Sequence, residues 1–226
     1  MNYCSHCGAK VAFRIPAGDN LPRFVCETCE MVHYQNPRIV AGCIPEWQNQ
    51  ILLCRRAIEP KYGLWTFPAG FMENGETIEQ AAIRETLEEA EADVELTSLY
   101  AVFSIPHISQ VYMIFRGRIR NPDFKAGHES LEVQLFRPEE IPWETLAFRV
   151  IHETLERYVQ DRQSGFGRGG QQDGAPSRDG GFGRGGQQDG APSRDGGFGR
   201  GVQRDGAPSR ANGGFPVHTG KILPAT

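Results

Sequence analysis

No stretch of this 226-residue chain approaches the ~20 consecutive apolar residues that cross a bilayer. The first residues contain no apolar core of a secretory leader, so the expectation is a soluble cytoplasmic protein with no membrane partner. A strong net charge is also missing, with Lys+Arg 24 against Asp+Glu 28, a formal −4. The balance is uneven along the chain: 16 basic and 23 acidic residues up to Gln163, then 8 and 5, leave the body near −7 and the rest near +3. An acidic body argues against nonspecific nucleic-acid binding through bulk charge. From Ser164 onward it is apolar residues that are lacking, and Gly, Arg, Gln, Asp, Pro and Ser dominate. Such sequence does not offset its chain entropy by burial, so residues 164–226 are expected to form a disordered tail. About 160 residues remain, enough for one good core and a small module.

Cysteine is scarce, six in all, yet four of them fall in two matched pairs. Cys4-x2-Cys7 and Cys26-x2-Cys29 are separated by 18 residues. That is the two-knuckle spacing of a zinc ribbon, four thiolates around one tetrahedral Zn²⁺. Two disulfides are the alternative, at odds with a reducing cytosol, and a redox-active pair does not call for two matched knuckles. Some 35 residues bury too little surface to fold alone, so a structural metal in residues 1–35 is physically reasonable. His6 and His33 read as surface or packing residues, because four cysteines already close the shell. With no open coordination position, the site is assigned no catalysis.

The stretch from Gly70 to Ala92, GFMENGETIEQAAIRETLEEAEA, carries the chemistry. Thr77 is a good N-cap and Gln80 three residues on completes a capping box. Strong helix formers follow, with Ile78, Ala82, Leu87 and Ala90 as the expected apolar contacts. Glu85, Glu88 and Glu89 fall at i, i+3 and i+4, so three carboxylates share one face and repel one another. Either Arg84 holds them, pairing with Glu88 or reaching back to Glu76, or a hard divalent ion does, since Mg²⁺ takes carboxylates together with substrate phosphates. Pro68-Ala69-Gly70 bends the chain and offers a free carbonyl beside the carboxylates, and Asn74-Gly75 turns it into the helix.

This stretch resembles the Nudix box, G-x5-E-x7-R-E-U-x-E-E-x-G-U, where U is bulky and apolar. Gly70, Glu76, Arg84, Glu85, Glu88 and Glu89 match in register; Thr86, Glu91 and Ala92 depart from it. Glu91 stands where the family usually has glycine, the residue that takes the left-handed C-cap position cheaply. The resemblance implies that Glu85, Glu88, Glu89 and the Gly70 carbonyl bind Mg²⁺ or Mn²⁺. It further implies that a glutamate from a later loop completes the site or acts as base. Glu129 and Glu132 are the candidates, with Glu129 favoured because it precedes its strand.

Arg38–Pro45 and Gln50–Arg56 read as paired strands joined at Gln48-Asn49, and Trp65–Pro68 as a short strand leading into the box. Val94–Phe103, Ser109–Ile119 and Leu131–Phe136 are further strands, and Leu146–Gln160 has helical periodicity. Cys43 and Cys54 sit in apolar runs and read as core. Strands around one helix and closed by another make an α+β sandwich over residues 36–163, the α/β/α fold the resemblance also implies. Arg55 and Arg56 leave the second strand toward the box loop, and either is placed to contact substrate phosphate. Phe103, His107, Gln110 and Tyr112 are candidates to stack on or read a base, against packing as the plain alternative.

Metal-held carboxylates of this kind activate water against a pyrophosphate. The ribbon, the HYQNPRIV junction and the WTFPAGF run resemble a ribbon-bearing Nudix subgroup, which favours ADP-ribose or FAD as nucleotide substrate and implies a homodimer. NADH or NAD-cap cleavage is the alternative, weakened because S-I-P-H-I-S-Q stands where an S-Q-P-W-P-F-P-x-S signature is expected. A rival of another class is a nucleotide sensor that binds nucleic acid through the ribbon or tail. The tail repeats GFGRGGQQDGAPSRDG with a 16-residue period from Gly165. It reads as a solvated spacer, with weak RNA contact through Arg and Phe as the alternative.

Overall fold

The computed structural model describes residues 1–164 and 217–223. The N-terminal module is a three-stranded antiparallel sheet of β1 (Val11–Arg14), β2 (Arg23–Cys26) and β3 (Val32–His33). Little apolar surface is buried here: Val25, Cys4 and Cys26 are inside, while Phe13 packs on Phe24 with ring centroids 5.0 Å apart, and Phe13 stays exposed.

The body is built on β4 (Arg38–Trp47) and β5 (Gln50–Arg56). Gln48 and Asn49 both take positive φ, 45° and 72°, giving the two-residue turn whose twist suits a hairpin. Next come β6 (Trp65–Thr66) and β7 (Ala69–Phe71), which pair with β5 and β4, and helix α1 (Ile78–Ala90). After α1 the chain forms β8 (Val94–Ile105), β9 (Gln110–Ile119), β10 (Ser130–Phe136) and helix α2 (Arg149–Gln163). A last strand, β11 (His218–Lys221), closes the described part. The strand order is β10-β5-β4-β9-β8-β11, with β4 parallel to β9 and β11 parallel to β8.

Strand alternation divides the core between two faces. Ile44, Ile51, Leu53 and Ile114 point toward α2, where Val150, Ile151, Leu155 and Tyr158 are buried. Ala41, Cys43, Leu52, Cys54 and Phe115 point the other way, toward α1 and the segment after it. Both cysteines are therefore core, as their apolar runs predict. The helices thus lie on opposite faces of one mixed sheet, an α/β/α sandwich.

Helix α1 has the predicted capping box: the Gln80 N–H donates to Thr77 Oγ1 at 3.2 Å and the Thr77 N–H to Gln80 Oε1 at 2.7 Å. Its inward stripe is Ala81, Ala82, Glu85, Thr86, Glu89 and Ala90. Leu87, expected among the apolar contacts, is instead 53% exposed. The helix is rotated to aim two glutamates inward, and small residues beside them let it lie close to the sheet. At its C-terminus Glu91 takes the left-handed conformation, φ 45°, and its N–H donates to the Leu87 carbonyl. A side chain pays a steric penalty there that glycine does not. Glu91→Gly is expected to raise stability by up to about 1 kcal/mol in urea unfolding, after loss of its exposed pair with Lys125.

Several element ends shift by one to three residues from the sequence reading, and two departures bear on the packing. Helix α2 starts at Arg149, not Leu146, because Leu146 bridges to Trp65 and the Ala147 N–H donates to the Trp65 carbonyl at 2.8 Å. Of the expected tail, 165–216 and 224–226 lie outside the described residues, and with them the spacer and RNA-contact readings. Residues 217–223, by contrast, rejoin the domain as β11.

Candidate active site

Along β7 and α1, the acidic cluster assembles around one guanidinium. Arg84 donates through Nε and Nη2 to the two oxygens of Glu76 at 3.0 and 2.7 Å. Its Nη1 reaches Glu85 at 2.7 Å and Glu88 at 3.1 Å, and Nη2 also reaches the Phe71 carbonyl at 3.1 Å. Both sequence alternatives for Arg84, Glu76 and Glu88, are therefore realised together. The paired guanidinium and the Glu73 N–H hold the Glu76 carboxyl down to about 2. All this fastens the loop before α1 to the helix.

Arg84 does not neutralise the cluster. Glu89 is buried, and that burial, reinforced by Glu85, pushes its carboxyl up to about 8. Burial also raises Glu85, against the pull of Arg84, and the charge of Glu129 opposes ionisation of both. Glu89 Oε2 receives the Ala69 N–H at 3.4 Å. Gly70 lies directly against the Glu85 carboxylate, and a Cβ there would overlap it. Two buried carboxylates that resist ionisation, beside a bend free of side chain, are a donor set that a hard divalent cation satisfies. Glu88 is the outer member, its side chain 57% exposed.

These residues open onto a cavity of about 1070 Å³. Gly70, Arg84, Glu85, Glu88, Glu89 and Glu129 line it, and so does Arg56. His107, Gln110 and Tyr112 line it as well, from the β8–β9 hairpin. Glu76 is held by Arg84 and does not line the cavity, and three further sequence candidates fall elsewhere. Arg55 and Glu132 pair with each other at 3.4 Å across β5 and β10 and do not line the cavity. Successive strand residues point to opposite sides, so only Arg56 of the arginine pair reaches the cleft. Arg56 there donates to the Pro60 carbonyl at 3.0 Å and stands over the Phe148 ring at 5.2 Å. Phe103 is core, covered by Gly220 and by the Arg157 guanidinium 5.4 Å above its ring.

Gly127 and His128 also line the cavity, and Gly127-His128-Glu129 is the loop signal in the sequence that points to them. A Cβ at Gly127 would overlap the backbone carbonyl of Glu88, and its own N–H donates to the Glu89 carbonyl at 3.1 Å. Only glycine lets this loop lie on the end of α1 and present Glu129. Gly127→Ala is expected to destabilise the chain by about 1–3 kcal/mol and to lower kcat/KM by about tenfold or more as Glu129 is displaced. Thermal melting and steady-state kinetics measure the two effects.

In the N-terminal module the four Sγ atoms of Cys4, Cys7, Cys26 and Cys29 lie within 4.8 Å of one another. Cys4–Cys29 is 3.8 Å and Cys7–Cys26 is 3.5 Å. Zn–S bonds of ~2.3 Å in a tetrahedron put the sulfurs about 3.8 Å apart, so the cluster fits that ion. The Cys29 and Thr28 N–H groups donate to Cys26 Sγ, each at 3.4 Å, and hold that thiol down to about 6. His33 Nε2 approaches Cys4 Sγ at 3.3 Å from outside the set of four.

Comparison with known proteins follows this division. A NUDIX domain family model matches residues 36–157, and a Nudix N-terminal zinc-ribbon model matches residues 2–35. An ADP-ribose pyrophosphatase of Methanocaldococcus jannaschii is 32% identical over 115 residues, 48% of this chain and 67% of that protein. The NAD-capped RNA hydrolase NudC of Vibrio atlanticus is 30% identical over 163 residues, 69% of this chain and 58% of that protein. This chain thus spans less than two thirds of that relative's length. The crystal structure of a NUDIX hydrolase from Nitrosomonas europaea is 60% identical with a TM-score of 0.71, covering 73% of this chain and 94% of that one.

Proposed function

The chain belongs to the NUDIX family, and from that premise we propose that it hydrolyses the pyrophosphate bond of a nucleoside diphosphate joined to a second group. ADP-ribose is favoured, with FAD of the same class, and the product is a nucleoside monophosphate. The observation that carries the reading is the pair of buried glutamates, Glu85 and Glu89, sharing one cleft with Glu129 and Arg56. Glu85, Glu88, Glu89 and the Gly70 carbonyl would hold Mg²⁺ or Mn²⁺. When bound, the ion neutralises pyrophosphate charge and lowers the pKa of water.

The chain's own groups do the rest. Glu129 faces the cluster and is placed to take the proton of the attacking water. Arg56 meets a phosphate oxygen, and Arg84 positions Glu85 and Glu76. Tyr112 and His107 border the space for the base. The four cysteines hold Zn²⁺ as a structural ion, which suits a reducing cytoplasm. A homodimer completes the proposal by resemblance alone, and light scattering measures it.

A second reading, cleavage of NADH or of an NAD cap, is favoured by the match to NudC over 69% of this chain. Turnover of ADP-ribose, FAD, NADH and NAD-capped RNA in parallel separates the two. ADP-ribose is expected to have the highest kcat/KM. Tight binding of one nucleotide without turnover of any would instead mark a sensor.

A further inference from the structure

Strand β11 lies outside the family match, which ends at residue 157, yet the two residues that follow it, Ile222 and Leu223, line the cleft. We infer that the C-terminal segment 217–223 is a wall of the substrate pocket, with Ile222 and Leu223 set against the base-bearing, uncharged part of the nucleotide. This rests on the function proposed above and deepens it.

The segment is fastened at several independent points. His218 to Lys221 run parallel to β8 in register with Ala101 to Ser104, and the Ile222 N–H donates to the Ser104 carbonyl at 3.0 Å. His218 Nε2 lies 2.7 Å from Asp161 Oδ2, an oxygen that also accepts the Tyr100 hydroxyl at 2.8 Å. Gly220 lies flat on Phe103, where a Cβ would sit 2.9 Å from the ring carbon Cε1. Ile222, 6% exposed, joins the core cluster of Ile105 and Val150.

Past these anchors, Leu223 is 55% exposed and Arg149 Nη1 approaches its carbonyl at 3.4 Å. Both Ile222 and Leu223 line the cavity. The acidic lining combines Glu85, Glu88 and Glu89 of α1 with loop residues such as Glu129; Ile105 and Tyr112 of the β8–β9 hairpin, Phe148 before α2 and this segment supply apolar lining, alongside residues of β4 and β7. A nucleoside diphosphate needs both kinds of surface: donors and cations for phosphate, and apolar walls for the base.

Two full-length variants test the inference. Gly220→Val forces a side chain onto Phe103 and undocks the strand without altering a pocket residue; Leu223→Ala keeps the strand docked and removes the exposed part of the wall. Hydrogen exchange of amides 218–222 reads docking, and kcat and KM for ADP-ribose read the pocket. Gly220→Val is expected to lose protection and to raise KM about fivefold or more, with kcat within about twofold. Leu223→Ala is expected to keep protection and the melting temperature and still to raise KM about threefold. An unchanged KM in Leu223→Ala, with ADP-ribose turned over normally by the wild type, overturns the wall. A wild-type chain that neither binds nor cleaves any of the four nucleotides defeats the function reading itself and this inference with it.

Discussion

Glu89→Gln is expected to lower kcat for ADP-ribose by about a thousandfold, the equivalent of ~4 kcal/mol of metal-assisted catalysis. The same change is expected to stabilise the metal-free chain at pH 8. Both effects have one cause. Glu89 is buried against Glu85, and its carboxyl is pushed up to about 8 from an ordinary value near 4.5. Between those values the folded chain keeps a proton that the unfolded chain releases. Stability of the metal-free chain therefore falls as pH rises from about 4.5 to about 8. Glu85 acts in the same direction. Glu76 acts oppositely, stabilising above its ordinary value and losing that contribution as pH falls toward about 2, so it does not mask the trend at neutral pH.

Gln at position 89 keeps the shape and removes the charge. Thermal melting without divalent ions should show a falling midpoint between pH 5 and pH 8 in the wild type, flattened in Glu89→Gln. Added Mg²⁺ should restore the wild type at pH 8 and leave the variant nearly unmoved, because binding to the folded state alone raises stability. An active Glu89→Gln enzyme would remove Glu89 from the metal site.

Loss of zinc is expected to unfold the N-terminal module while the catalytic body stays folded. Apart from the cysteines, Pro16 and Val25 are the module's buried residues, and no residue before Val40 belongs to the three core clusters of the body. A structural zinc contributes on the order of 10 kcal/mol to a small domain, far above what three short strands retain without it. In Cys26→Ala the bound zinc should fall from one per chain to none, and amides of Val11–Arg14 and Arg23–Cys26 should exchange freely. Amides of β4 and β9 should keep their protection. A module that stays protected without zinc and under reducing conditions would contradict the assignment.

The elements most legible in the sequence are those specified locally. Thr77 and Gln80 mark the start of α1, and Gln48-Asn49 marks the hairpin, since each depends on neighbours within a few residues. The E-x-x-E-E spacing likewise places the acidic cluster on one helix face. What local pattern does not carry is the parity of a strand and the rotation of a helix. Arg55 and Arg56 look equivalent until pairing with β10 assigns Arg55 to Glu132. Phe103 looks like a stacking residue until Gly220, far along the chain, is laid on it. Leu87 looks buried until the helix is turned to aim Glu85 and Glu89 inward. Strand β11 was hidden for the same reason: VHTGKIL is short, follows a low-complexity repeat, and takes its stability from β8, Asp161 and Tyr100.

Phosphorus NMR of ADP-ribose incubated with the full chain, with Mg²⁺ and without added divalent ions, tests the central claim most directly. The account predicts that the pyrophosphate resonances give way to those of AMP and ribose 5-phosphate only when Mg²⁺ is present. Pyrophosphate left intact by a chain that binds ADP-ribose in the presence of Mg²⁺ would contradict it.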